Sequence, residues 1–332
     1  MTTAAATAAV RVTVEPTPLV RPFQVSHMTT EAVDVVTLRL ADHGASGLGE
    51  ISADPGYDQD GPAIAAEAGE LARALAGEPG VDAPDRLADL IGAAENTVSG
   101  PARTLVEMAF LDRAARRAGV PVWKLLGLPE PGLVQLMHTV PIGDPIPADP
   151  GGPLKIKLGG PDDAAVLRAL LDVPGELILD VNRGWSQDDW HALRPLVTRL
   201  APAVLEDPVD RPELLAEVRA ALPDTAVVLD ETVATRADVE RAAATADGAN
   251  IKLMKIGGLL PAIEALDRLT ARSATKMLGC YLEPPRSIAY AAQLAGVCDW
   301  TDLDGHFWLI TEPAVMSYRL DSSRPGIPAI AH

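Results

Sequence analysis

Five ionisable residues recur through the second half of the chain at nearly constant intervals. Lys157, Asp180, Glu206, Asp230 and Lys252 stand 23, 26, 24 and 22 residues apart, and each ends a short apolar run: LKIK, ELILD, AVLE, AVVLD and ANIK. Asp304 closes a further run, WTDLD. Such an interval holds one strand and one helix, so a closed parallel barrel would bring these groups to one mouth at the same height, where barrel enzymes keep their chemistry. Three carboxylates on adjacent strands repel and raise one another's pKa unless a cation lies among them. Oxygen ligands of that kind suit Mg²⁺, which keeps positions for water and substrate oxygens. The lysines flank the carboxylates, one strand before and one after, as two proton-transfer groups facing each other. Taken singly, a strand-end aspartate is ordinarily a helix cap or turn former and a lysine a rim residue. Independent caps do not produce the order Lys, Asp, Glu, Asp, Lys.

The stretch LKIKLGG from Leu154 alternates apolar and basic residues, so a strand there points Lys155 and Lys157 to one face. In a barrel interior the two ammonium groups would lie side by side, away from bulk water.

The elements that must position these groups are legible in outline. From Val10 to about Glu50 the pattern is strand-like, in VRVTVEP and AVDVVTLRLAD, and DHGASGLGE reads as turn chemistry. Helical patterns follow in AIAAEAGELARALAGEPG and ARTLVEMAFLDRAARRAGVPVWKLLGL, the second closed by Gly119 and Pro121. Strands then helices mark a separate α+β domain. Beyond it, eight apolar segments (LMHTVPI, LKIKL, ELILDVN, AVLEDPV, AVVLDET, ANIKLM, ATKMLGC and WTDLDG) are mostly separated by amphipathic stretches such as PDDAAVLRALLD, RPELLAEVRAAL and RADVERAAATA. The first connection, DPIPADPGG, has no helical pattern. This is the rhythm of an α/β barrel.

At 332 residues, 48% hydrophobic and 22% charged, the chain is long enough for a large barrel with an appendage. Its net charge of −18 opposes nucleic acid and anionic membrane surfaces as partners. Two cysteines, Cys280 and Cys298, make no disulfide framework and no metal-ligand spacing, which suits a reducing cytoplasm. The N-terminal MTTAAATAAVRVTVEP lacks the pattern of a signal peptide, and no segment approaches a membrane span. No nucleophile elbow, HExxH or P-loop is present.

These motifs together resemble the enolase superfamily, specifically its muconate lactonizing enzyme subgroup. LKIKLGG is similar to that subgroup's K-x-K motif, LDVNRGW to its D-x-N segment, LEDPV and LDET to its following acidic segments, and NIKLMKIGGL to its opposing lysine strand. GLGE and VWKLLGL extend the likeness into the first domain. DLDGHFWL, from Asp302 to Leu309, resembles the D-x-D signature of dipeptide epimerases.

The resemblance implies a (β/α)7β barrel over residues 121–311, an α+β capping domain over 1–120 and a segment, 312–332, returning to it. It implies Mg²⁺ held by Asp180, Glu206 and Asp230, with Asn182 and Glu231 in support. Lys157 and Lys252 would be the acid/base pair on opposite faces of the substrate α-carbon, with Lys155 beside Lys157. The second ammonium and the metal would disfavour the charged form of Lys157. Proton removal on one face and return on the other, through an enediolate stabilised by the metal, would invert the centre. Asp302 and Asp304 would grip the α-ammonium of a dipeptide. Ala-Glu epimerases commonly carry a basic residue in the capping loop. Here RPFQVSHMTTEAVD offers Arg21, then Gln24, Ser26, His27 and Met28, which points to a non-acidic second residue. Tyr281 and His27 are further substrate-binding candidates, Tyr281 narrowing the pocket, and Arg286 a displaced positive group. Relatives often form symmetric oligomers, so a homo-oligomer is a further expectation. The alternatives are N-acylamino acid racemisation, cycloisomerisation or dehydration on the same machinery, and a non-catalytic metal-binding or partner-binding scaffold.

Overall fold

The computed structural model describes residues 9–41, 45–310 and 326–328. Its first part is an antiparallel sheet of β1 (Ala9–Gln24), β2 (Thr29–Ala41) and β3 (Ser46–Ala53), in that order. Alternation builds its inner face: Val36, Leu38 and Leu40 are buried, while Thr37 between them is half-buried and Arg39 exposed. Helices α1 (Gly61–Leu75), α2 (Pro84–Ala93) and α3 (Gly100–Ala118) follow. Helix α3 is buried almost all round, its charged Arg103, Glu107 and Arg113 included, because it lies between the sheet and the second domain.

One expectation is corrected here. The glycines of GLGE are not turn residues; Gly47 and Gly49 lie within β3. A methyl group at either would collide with the carbonyl of Ala109 or Leu105, so glycine is what lets α3 approach the strand. Asp42, His43 and Gly44 of that turn, the first eight residues, and all of the 312–332 segment but Gly326–Pro328 lie outside the described residues.

After α4 (Val122–Leu125) and β4 (Leu133–Gln135), which pairs antiparallel with Gly326–Pro328, come eight parallel strands. They are β5 (His138–Val140), β6 (Leu154–Lys157), β7 (Leu177–Asp180), β8 (Val204–Glu206), β9 (Ala226–Leu229), β10 (Gly248–Lys252), β11 (Thr275–Gly279) and β12 (Trp300–Asp302), neighbours in chain order. Six of the seven connections carry helix: α5 (Asp163–Leu170), α6 (Gln187–Leu200), α7 (Pro212–Ala221), α8 (Arg236–Thr245), the short α9 (Leu253–Ile256) with α10 (Leu259–Ala271), and α11 (Pro285–Ala291). The β5–β6 connection has none, as its Pro/Gly content predicts.

The sheet curls on itself. Laid flat, β6 and β12 would be roughly 29 Å apart, six strand spacings; instead Lys155 on β6 reaches Asp302 on β12 at 2.5 Å. The edge strands are laced by Thr139 on β5, whose N–H donates to Asp304 at 2.8 Å and whose hydroxyl donates to Asp302 at 3.4 Å. Inside, Met137, Ile178, Val204, Val228 and Met277 form an apolar plug. Ile178, Val204 and Val228 each sit two residues before an acid, so the charged layer rests directly on a dry floor.

Candidate active site

The K-x-K strand presents both lysines inward. Lys155 and Lys157 are 1% and 8% exposed, while Leu154 and Ile156 face the helices. Lys157, Asp180 and Glu206 are register partners on β6, β7 and β8. The expectation of equal heights fails in register beyond that point. Glu206 pairs with Val228 and Val228 with Gly248, so Asp230 stands two residues further along its strand and Lys252 four. Barrel strands tilt and shear, which brings these staggered positions back to one mouth.

Lys155 is the hub. Its Nζ lies 2.9 Å from Asp180, 2.8 Å from Glu206 and 2.5 Å from Asp302. Lys157 Nζ donates to Asp180 at 2.6 Å and to Asn182 Oδ1 at 3.3 Å. Across the mouth Lys252 pairs with Asp230 at 2.7 Å and lies 4.8 Å above the Tyr281 ring. Asn182 also donates to Glu231 at 2.9 Å, tying the ends of β7 and β9 together.

The charges follow from these pairs. Burial opposes ionisation of Asp180, but Lys155 and Lys157 outweigh it and hold the carboxyl at about 2. Burial of Asp230 is likewise outweighed by Lys252 and Lys255, which hold it well below the carboxylate range. Glu206 goes the other way: burial and the nearby Asp180 charge push it up to about 8. Burial favours neutral lysines, yet Asp180 raises Lys157, and Asp230 raises Lys252 well above the ordinary value. At Lys157 the carboxylate at 2.6 Å outweighs both burial and the neighbouring Lys155 ammonium.

Among the described residues no three acidic, histidine or cysteine side chains close into a finished cation cage, since the lysine ammonium groups stand between the carboxylates. The donor set nevertheless fits a hard cation. Glu206 Oε2 and Asp230 Oδ2 are fully buried, and each is met by a lysine ammonium, at 2.8 Å and 2.7 Å. Buried carboxylate oxygens that face a cation are the hard ligands a divalent ion would take.

A cleft opens above these groups. Its charged floor is Lys155, Lys157, Lys252, Asp302 and Asp304; burial and the adjacent Asp302 push Asp304 up to about 7. Its remaining walls include Phe23, Met28 and Tyr57 of the first domain and Tyr281, Leu282 and Trp308 of the second. The two tyrosines meet edge to face at 4.8 Å, so Tyr281 does narrow the cleft. His27 is exposed, 6.0 Å from Tyr57, and is not a wall residue. Nor is any arginine among the described residues. Arg21 pairs with Asp144 and lies 4.6 Å over Trp308, and the field of Arg286 acts on Glu50.

Several contributors escaped sequence reading. Asn250 donates to Glu206 at 2.9 Å, and Lys255 donates to Asp230 Oδ1 at 2.7 Å. A signal existed for Asn250, which alternates inward with Lys252, and for Lys255, one helical turn beyond it. Thr139 and Tyr57 carried none.

Comparison with known proteins fits this architecture. Residues 7–127 match the mandelate racemase / muconate lactonizing enzyme N-terminal domain, and residues 152–315 the enolase C-terminal domain-like family. An L-Ala-D/L-amino acid epimerase of Pedosphaera parvula is 32% identical over 289 residues, covering 77% of this chain and 82% of its own. The chain belongs to the enolase superfamily. A hydrophobic dipeptide epimerase of Roseobacter litoralis is 29% identical over 316 residues, covering 88% of this superfamily member and 89% of its own length. Among solved structures, the dipeptide epimerase of Enterococcus faecalis, complexed with Mg and L-Leu-L-Tyr, shares the fold with a TM-score of 0.83 at 23% identity, covering 97% of this chain and 99% of that one.

Proposed function

We propose that the protein is a Mg²⁺-dependent dipeptide epimerase acting on dipeptides with an apolar or aromatic second residue. The observation that carries the reading is one cleft lined together by Lys157, Lys252 and the Asp302/Asp304 pair. The two aspartates suit the α-ammonium, gripping it by charge-assisted hydrogen bonds while Thr139 orients them. That fixes the direction of the dipeptide and sets its second α-carbon toward the lysines. One lysine removes the α-proton and the other, as ammonium, returns one to the opposite face. Asp180, Glu206 and Asp230 would hold the cation, which when bound neutralises the substrate carboxylate and stabilises the charge left as the proton departs. Lys155 adds a fixed positive charge beside them.

The walls support the choice of side chain. An acidic group would meet Phe23, Met28, Leu282 and Trp308 with no arginine to receive it. Asp54, the acid on the capping wall, accepts one bond on each oxygen, from Gly56 N–H and Thr30 Oγ1, which ties it to the cap's own turn. The two unpaired thiols, Cys280 and Cys298, fit a cytoplasmic setting.

The test is incubation with Mg²⁺ and pooled L-Xaa-L-Yaa dipeptides in D₂O. The expected result is α-deuterium incorporation accompanied by the inverted epimer, strongest where Yaa is apolar. Label confined to N-acylamino acids or hydroxy acids would overturn the dipeptide reading.

A further inference from the structure

Lys255 lies behind the mouth rather than in it: its side chain is 9% exposed and it does not line the cleft. Its ammonium donates to Asp230 Oδ1 at 2.7 Å and to the Asp230 main-chain carbonyl at 3.0 Å, with Glu231 Oε2 at 3.6 Å. The two carboxylate oxygens are thereby divided. Oδ1 is tied to Lys255, and Oδ2 faces Lys252, which lines the cleft, at 2.7 Å.

The backbone bearing Lys255 is itself clamped from outside the barrel. The Thr104 hydroxyl of α3 donates to the Leu253 carbonyl at 2.9 Å, and Gly100 leaves room for the carbonyls of Met254 and Lys255 where a methyl group would clash. Gly257 then ends the turn at φ 98°, hard against the Arg103 guanidinium. A lysine on so short and constrained a turn delivers its charge to one place.

We propose that Lys255 is a positioning residue for the cation site: by holding Asp230 at both Oδ1 and the carbonyl, it fixes the plane of the carboxylate so that Oδ2 is presented to the divalent ion. The proposal rests on the reading of Asp230 as a cation ligand. A group that orients a metal-binding carboxylate typically changes metal affinity by roughly 10- to 100-fold when removed.

The experiment is calorimetric titration of Mg²⁺ into the EDTA-treated full chain, wild type beside Lys255→Met and Lys255→Gln, with thermal melts of each metal-free protein. The expected result is a Kd raised roughly 10- to 100-fold in Lys255→Met and less in Lys255→Gln, which keeps one donor. Raising Mg²⁺ should then return kcat towards the wild-type value, which displacement of Lys252 would not allow. Unchanged affinity in a folded variant overturns the proposal, and if Lys255→Met does not fold, unchanged affinity in Lys255→Gln does so. A kcat that stays low at saturating Mg²⁺ overturns it as well. If wild type binds no divalent ion, the reading of Asp230 falls, and the proposal with it.

Discussion

The two domains divide the cleft unequally. The barrel supplies the lysines and the carboxylates that surround them, Lys155 from within β6 and the others at or just beyond a strand end. The capping domain contributes Phe23, Met28, Thr30, Asp54 and Tyr57, of which the one charged residue accepts hydrogen bonds from its own neighbours. Groups that must keep fixed distances thus come from short parallel strands locked in register, and groups that need only offer a surface come from a hairpin and a 3-10 turn. The difference suggests that reaction type is set by the barrel and substrate choice by the cap.

The severest test of that division is removal of a proton-transfer group. Lys157→Ala or Lys252→Ala should lower epimerisation by roughly 10²- to 10⁴-fold, while one of the two variants still exchanges the α-proton of one epimer with D₂O. Mass spectrometry of label against chirality would read this, and retained epimerisation in both variants would defeat the scheme.

The seam between the domains offers a test that belongs to neither. Glu107 of α3 is buried and caps barrel helix α10, accepting from Leu259 and Leu260 N–H and from Tyr290 hydroxyl. Burial pushes it up to about 7 despite these bonds. The folded state therefore holds its proton through a range in which the unfolded state has lost it. Its contribution to stability is full below about 4.5 and falls by about 3 kcal/mol as pH rises to about 7. Denaturant melts of wild type against Glu107→Gln should show the stability difference shrinking over that window. A difference independent of pH would mean that Glu107 is ionised throughout.

Asp304 tests whether the barrel also fixes substrate direction. With its carboxyl at about 7, ammonium binding should strengthen as pH rises through neutrality, because the carboxylate form is the one that pairs. We expect Asp304→Asn to lower kcat/KM for dipeptides by roughly 10- to 100-fold, the worth of a hydrogen bond to a charged group, and to flatten that pH dependence.

The mildest change is on the cap. Met28→Arg should shift preference towards an acidic second residue by roughly 10-fold in kcat/KM ratio, about the energy of one exposed to half-buried ion pair, with kcat for apolar substrates falling less. If it abolished turnover of every dipeptide, the cap would be part of the reaction machinery and the division would be wrong.

What could be read from sequence follows the same split. The eight barrel strands were legible because a buried parallel strand is a compact apolar run ended by a residue of another kind, as in ELILD or AVLE. Lys155 and Lys157 were legible through period two. Asn250 obeys the same period with Lys252 but is neutral, and its bond to Glu206 shows what that period placed at the mouth. Gly47 and Gly49 were misread because glycine signals a turn locally, while here it answers a helix 56 to 66 residues away in the chain. Tyr57 had no signal at all, because tertiary folding alone carries that turn to the barrel mouth.

Helix α3 touches both halves of the molecule without slack. On one side β3 meets it through two glycines; on the other, Gly100, Thr104 and Glu107 grip the segment that follows Lys252. A cap mounted on such a spindle cannot swing open as a rigid door without tearing out its own axle. Substrate is then admitted at the rim, where the Phe23–Met28 bend meets the barrel through the edge of Phe23 on Trp308 at 4.8 Å and two hydrogen bonds, Ile142 N–H to the Gln24 carbonyl at 3.1 Å and Ser26 hydroxyl to the Asn182 carbonyl at 3.4 Å. The residues that choose the substrate would then also be the ones that let it in.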